Sequence, residues 1–427
     1  MFARPPVFAR RIPWRQVRDW KEVLMGGSRR AGFAAFVVAM LATVACSGYS
    51  NTTAADPVQP APSGTANAAL PGGPSDADGA KLAERVFPDP DWQVADPLSL
   101  GFDPAVLESV RQKAEDAGSN CLLVTRNGRI AAEWYWNGTD EHSAQEVFSA
   151  TKSFTSSLVG IAQAEGKLDI DDPATKYIPE WIGTPSEAVT VKNLISNNSG
   201  RHWDFETDYV KMAVGAQDKT RFAIELGQDA PPGEVWAYNN AAIQTLDRVI
   251  ARATGMPTHQ YAEEKLLGPI GMRDSVMRTD PVGNTLTFMG LQSTCRDMAR
   301  FGYLFLNKGN WNGNQVIPEA WVEEATRPSQ DLNVGYGYLW WLNRRGRLAN
   351  PVQPVSAIEG GSTPDGQMAP GMPEDLYWAL GLGNQIIAVS PSTGVVTVRL
   401  GTVNHPRGST FGNVDAARPA VEGLRSP

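Results

Sequence analysis

The sequence predicts an α+β fold in which strands near both ends of one large domain enclose a mostly helical middle. Three observations carry this. The stretch "CLLVTRNGRIAAEWYW" is strand-like over 120–136. Ile386 to Val389 and Val395 to Leu400 are β-branched runs separated by a Pro-Ser-Thr-Gly turn, which reads as two strands within 384–400. Between them, apolar residues recur near the 3.6-residue period, giving helices near 153–165, 240–254 and 294–307.

The first of these helices is the best bounded. In "EVFSATKSFTSSLVGIAQAEGKLDIDDP", Phe148, Phe154, Leu158, Val159 and Ile161 supply the buried stripe and Gly166 closes the run. The helix over 240–254 follows "PPGEVWAYNN", and the one over 294–307 lies in "STCRDMARFGYLFLNKGNW". A helical lobe is expected from about 166 to 290, and tandem repeats are not evident.

The front of the chain reads as targeting rather than fold. Arg29 and Arg30 precede an apolar run over 31–44, then Ala45-Cys46 and polar Ser47-Gly48, so residues 1–45 read as an export signal. Met25 makes a neater start than Met1. The run is shorter than the roughly eighteen residues a spanning helix needs. Ala45-Cys46 resembles a bacterial lipobox, with Thr43 where Leu is usual, which makes Cys46 a lipidation site and the cell envelope the expected location. Residues 46–80 are rich in Pro, Ala, Gly and Ser and read as a flexible tether. The domain proper is 81–427. Cys121 and Cys295 are expected to be buried and unpaired; a disulfide between them is open to an exported chain, though nothing in the spacing argues for it.

A net charge of −8 with scattered signs gives no nucleic-acid footprint. The chain has no Gly-x-Ser-x-Gly elbow, and none of its four histidines falls in a zinc-binding pattern, so neither a metal nor another cofactor is expected. Asp171 and Asp172 precede Pro173 in a turn and read as loop chemistry. His202 reads as a loop histidine near the site.

The chemistry concentrates in Ser149-Ala150-Thr151-Lys152 and Tyr238-Asn239-Asn240. A serine and a lysine three apart share a helix face, so the amine can activate the hydroxyl. A helix start also favours an anion, which suits an oxyanion on an acylated serine. Tyr238 can act as base if Lys152 pulls its phenol down in pKa. A neutral Lys152 is the other candidate, and the sequence leaves both open. Asn240 would orient Lys152 or the substrate.

These boxes resemble the serine β-lactamase and penicillin-binding family, in the branch of class C β-lactamases, related esterases and 6-aminohexanoate-dimer hydrolases. The resemblance runs from about Asp96 to Gly401. It implies a β-lactamase/transpeptidase-like architecture: a mostly antiparallel sheet flanked by helices, a helical lobe, and the active site in the cleft between. It also implies the catalytic set Ser149, Lys152 and Tyr238, with a small-molecule ester or amide as substrate.

The third box departs from the family pattern. Where penicillin-recognising members carry Lys-Thr-Gly or His-x-Gly, this chain has Ala379-Leu380-Gly381-Leu382. Backbone N–H groups still serve there, so the resemblance assigns Gly381 and the N–H of Leu382, paired with that of Ser149, to the oxyanion site. The missing cation disfavours carboxylate-bearing β-lactams, which places the esterase and amidase reading ahead of β-lactamase or DD-peptidase activity. A non-catalytic penicillin-binding-type lipoprotein is the remaining alternative. Arg399 on the following strand is expected to face solvent, the alternative being an inward side chain that compensates for the missing cation. Trp203, Trp236 and Trp340 are expected to flank the site and line an apolar acyl pocket.

Overall fold

A computed structural model describes residues 85–356, 362–404, 406 and 408–425. The export signal, Met25, the tether and Cys46 all lie outside these residues. A seven-stranded sheet organises the described part: β1 (Gln93–Val94), β2 (Ser119–Arg126), β3 (Arg129–Tyr135), β4 (Trp341–Leu342), β5 (Tyr377–Gly381), β6 (Gln385–Ser390) and β7 (Val395–Gly401). Its order is β1-β3-β2-β7-β6-β5-β4. Only the short β1–β3 edge is parallel. The predicted strands at both ends of the chain therefore meet at the centre, where β2 pairs with β7, Leu123 facing Val398.

The two faces of the sheet follow the two-residue period of its strands. Leu123, Ile387, Val389, Val396 and Val398 point to one side, and Leu122, Ile386 and Ala388 to the other. The first side packs on α2 (Thr151–Ala164) and α5 (Cys295–Leu306). The second packs on α1 (Pro104–Asp116) and α6 (Asn413–Val421). Burial on both faces explains why β6 and β7 read as continuous apolar runs. Gly302 lets α5 approach closely: a Cβ there would lie 2.6 Å from Val396 and 2.7 Å from Ile387.

The segment 166–290 is made of short helices and turns, with two two-residue strands, Val235–Trp236 and Val276–Met277. The helix expected over 240–254 is divided into α3 (Asn240–Gln244) and α4 (Leu246–Thr254). Thr245 lies at the junction and returns its hydroxyl to the Ala242 carbonyl at 2.6 Å, a back-bond that bends helices.

Two expectations are corrected. Cys121 on β2 and Cys295 at the start of α5 are not unpaired but joined in a disulfide, their Cα atoms 6.4 Å apart. A separation of 174 residues hides a pairing that arises only when α5 docks on the sheet. Arg399 on β7 does not face solvent. It is fully buried, and its guanidinium donates to Ser119 Oγ at 2.7 Å, Gly383 O at 2.5 Å, Asn384 O at 3.0 Å and Ala117 O at 3.3 Å. Carbonyls of the β5–β6 turn and of the chain entering β2 thus converge on one cation. Arg399→Leu removes the donor these oxygens share; a buried acceptor left unsatisfied costs roughly 1–3 kcal/mol, but Gly383 O also accepts from Gln385 and Ala117 and Asn384 have further partners, so only part of that sum is lost. Urea unfolding should show a total loss on the order of 2–4 kcal/mol; a loss under about 0.5 kcal/mol would contradict this account of the turn.

Candidate active site

Ser149 sits in a 3₁₀ turn, Phe148–Ala150, that leads into α2. Phe148 has φ +48°, a left-handed conformation uncommon for a bulky side chain. Glu146 holds that turn. Its Oε1 accepts from the N–H of Phe148 at 2.9 Å and of Gly290 at 2.8 Å, and its Oε2 accepts from Gln292 at 2.7 Å. One mostly buried carboxylate therefore ties the serine turn to the segment around Phe288. Burial pushes its pKa up and these donors oppose that.

Lys152 is the second residue of α2, one turn beyond Ser149, and is 1% exposed. Its Nζ reaches three oxygens: Ser149 Oγ at 2.8 Å, Asn240 Oδ1 at 2.7 Å and the Phe288 carbonyl at 2.8 Å. Burial pulls its pKa down to about 7, against the opposing pull of Asp208. The helix period thus does what the Ser-x-x-Lys spacing suggests, and the site adds an amine that loses its proton near neutrality.

Tyr238 is buried beside this pair, its ring centroid 4.7 Å from Lys152 Nζ and its phenol close to Ser149. Its pKa moves opposite to the expectation. Burial raises it well above the ordinary phenol value, and the nearby Asp208 carboxylate adds to the rise, while only the Ser149 contact lowers it. The desolvation of a buried phenolate outweighs any help from an amine that is itself half-discharged. Asn240, at the start of α3, turns its Oδ1 to Lys152 and its Nδ2 to Asp208 Oδ2 at 2.7 Å.

On the sheet side, Gly381 ends β5 directly against the serine turn. A Cβ at this position would lie 2.1 Å from the Val147 carbonyl oxygen and 3.2 Å from the Ala150 nitrogen. Only glycine permits this approach of the strand end to the serine turn, and Leu382 is the next residue in the chain. Ala379, two residues earlier on β5, is buried, and the Arg399 guanidinium is committed to backbone carbonyls.

The tryptophan expectation is corrected in part. Trp236 and Trp340 are fully buried, Trp340 stacking on Phe301 with centroids 5.7 Å apart, so both belong to the core. Trp203 is half-buried. The ring that packs on Tyr238 from a partly exposed position is Trp341, at 5.5 Å, itself edge-on to Tyr336 at 4.8 Å. His202 is clamped between Asp229 at 2.9 Å and Asp204 at 3.0 Å, which raises its pKa and occupies both ring nitrogens. Its backbone carbonyl accepts from Asn239 at 3.1 Å, steadying the segment that carries Tyr238 and Asn240.

Sequence reasoning missed Glu146, Phe288 and Asp208. Phe288 contributes a backbone carbonyl, which leaves no trace in side-chain pattern. Asp208 lies 32 positions from the residue it binds. Its carboxylate is held within a single π-helix, Glu206–Gly215, that carries no motif.

A sequence model of the family described as Beta-lactamase matches residues 109–422. The chain belongs to the β-lactamase family. Among relatives of this β-lactamase-family chain, a 6-aminohexanoate-dimer hydrolase of Paenarthrobacter ureafaciens is 26% identical over 51% of this chain and 60% of that protein. The D-alanyl-D-alanine-carboxypeptidase/endopeptidase AmpH of Escherichia coli is 26% identical over 39% of this chain and 49% of its own length. The chain thus spans less than two thirds of these two relatives. A solved Bacillus anthracis structure named after the same dimer hydrolase superposes with a TM-score of 0.57 at 24% identity, covering 70% of this chain and 77% of that one. That likeness supports the β-lactamase-like fold, mixed helices around a sheet.

Proposed function

We propose that this chain is an exported serine hydrolase that cleaves a small ester or amide through an acyl-serine intermediate. The observation that carries the reading is the 2.8 Å contact between a buried Lys152 amine and Ser149 Oγ. A serine hydroxyl is a poor nucleophile until a base takes its proton, and an amine with a pKa near 7 is half in its basic form at neutral pH. Ser149 Oγ attacks the substrate carbonyl and Lys152 accepts its proton. The oxyanion is met by the N–H groups of Ser149 and Leu382, with Gly381 keeping that edge close. The proton then passes, through Lys152 or Tyr238, to the leaving alkoxide or amine. Water repeats the sequence on the acyl-serine, and the same pair serves as its base.

An ester or amide without a carboxylate fits better than a β-lactam. A carboxylate entering this site finds alanine where relatives place a cation, and the Arg399 guanidinium is spent on Ser119 and on backbone carbonyls. A buried carboxylate lacking such a partner costs several kcal/mol. Export rests on the apolar leader and the Ala45-Cys46 junction, and the Cys121–Cys295 disulfide supports it, since such bonds persist in oxidising compartments. A diacylglyceryl group on Cys46 would anchor the protein in the envelope.

One experiment addresses these claims together: intact-mass spectrometry of the mature protein before and after a fluorophosphonate probe, with turnover of nitrophenyl esters, linear amides and a chromogenic cephalosporin. The expected results are a lipidated N-terminus at Cys46, one covalent adduct, and a kcat/KM for the best ester at least about a hundredfold above that for the cephalosporin. Comparable cephalosporin turnover would reverse the reading of the third box. An unmodified product cleaved elsewhere would remove the anchor.

A further inference from the structure

We propose that Asp208 is a positioning residue that fixes the polarity of the Asn240 amide and thereby decides what Lys152 presents to Ser149. The role rests on the acyl-serine reading above. Asp208 is 1% exposed and lies in the π-helix Glu206–Gly215. Its Oδ2 accepts from Asn240 Nδ2 at 2.7 Å and from the Asn240 backbone N–H at 3.2 Å, and its Oδ1 accepts from the Ala241 N–H at 2.8 Å. The carboxylate therefore also covers the first N–H groups of α3, where an anion is favoured.

An asparagine amide has one donating and one accepting end. With Nδ2 held by a group that only accepts, Oδ1 must face Lys152. The reverse orientation would set an NH₂ against the amine's hydrogens and a carbonyl oxygen against a carboxylate, two like-signed contacts in a buried site. Lys152 then has two partners that can only accept, Asn240 Oδ1 and the Phe288 carbonyl. A neutral amine has two hydrogens and one lone pair. Both hydrogens are taken by those acceptors, so the lone pair falls on the remaining neighbour, Ser149 Oγ. Without a fixed amide, one amine hydrogen can turn to Ser149 instead, and the base is misdirected.

Asp208 also acts through its charge. The titratable groups around it are Lys152 from α2, Tyr238 from the segment before α3, and Tyr209 on its own helix, with Tyr336 beyond Tyr238. Burial raises the three phenols, so they remain neutral near pH 7. Burial also raises Asp208, to about 6, leaving its carboxylate largely ionised at neutrality and able to favour the Lys152 ammonium. Removing that charge lets Lys152 lose its proton at lower pH, so the acidic limb of kcat/KM moves down.

The test compares wild type, Asp208→Asn and Asp208→Glu in the pH profile of ester hydrolysis and in the rate of fluorophosphonate labelling. Asp208→Asn should lower the plateau kcat at least about tenfold with little change in KM, and move the acidic limb down by about half to one pH unit. Asp208→Glu keeps an accepting, charged group and should hold the limb within about 0.3 unit; it remains informative if the Asn variant does not fold. An Asp208→Asn profile with an unmoved limb, or an Asp208→Glu limb displaced by more than half a unit, overturns the proposal. A wild-type protein that takes no label at Ser149 overturns the acyl-serine reading itself. A labelled wild type with an unmoved Asp208→Asn limb removes the Asp208 role alone.

Discussion

Ser149→Ala should abolish fluorophosphonate labelling and lower kcat/KM for the best ester at least about 10³-fold, while leaving the urea midpoint close to wild type. The asymmetry comes from where the hydroxyl sits. Ser149 is half-buried in a 3₁₀ turn held by Glu146 and by the start of α2, and its Oγ contributes no apolar packing. Losing it removes one hydrogen-bond partner from an amine that keeps two others, at about 1 kcal/mol or less. The reaction loses the atom that bonds to the acyl group, and the neighbouring Tyr238 hydroxyl is a poor substitute, a buried phenol with a raised pKa. Labelling that survives in the variant would mean another nucleophile, and the assignment would fall.

What the sequence made legible, and what it did not, divides along the range of the interactions. The strands of β6 and β7 declare themselves because burial on both faces demands unbroken apolar runs, a local property. Ser149 and Lys152 are legible for the same reason, since helix geometry alone brings residues three apart together. Arg399 was misread because an arginine is rarely buried in full. Its burial depends on carbonyls from the 383–384 turn and from residue 117, which no local pattern reports. The disulfide is likewise a property of docking. Trp340 and Trp341 are adjacent in sequence yet differ in role. One is fully buried against Phe301 and Phe305, and the other, on β4, packs its partly exposed ring on Tyr238. Their strand-end placement decides this, and two adjacent tryptophans in a sequence give no sign of it.

The identity of the base was open in the sequence, and the site geometry orders the two candidates. Lys152→Ala should lower kcat at least about 10²-fold and erase the acidic limb of kcat/KM, which in wild type rises as pH passes through about 7. The sign follows from burial. Desolvation disfavours the ammonium, so the folded-state pKa falls, and the active neutral amine accumulates above that value rather than below it. Tyr238→Phe should also cost at least about 10²-fold if the phenol relays the proton from Lys152 to the leaving group, yet it should leave the limb in place. The double variant should be little worse than Lys152→Ala alone, since a proton relay broken at one member gains nothing from the other. Lys152→Met, which fills the same buried volume without the amine, separates a chemical loss from one of packing and should behave as the alanine variant does. Stopped-flow or steady-state ester assays across pH 5 to 9 read the four variants against wild type. A limb that persists without Lys152 and disappears in Tyr238→Phe would make the tyrosine the base, and would require a phenolate that this buried, carboxylate-flanked position opposes.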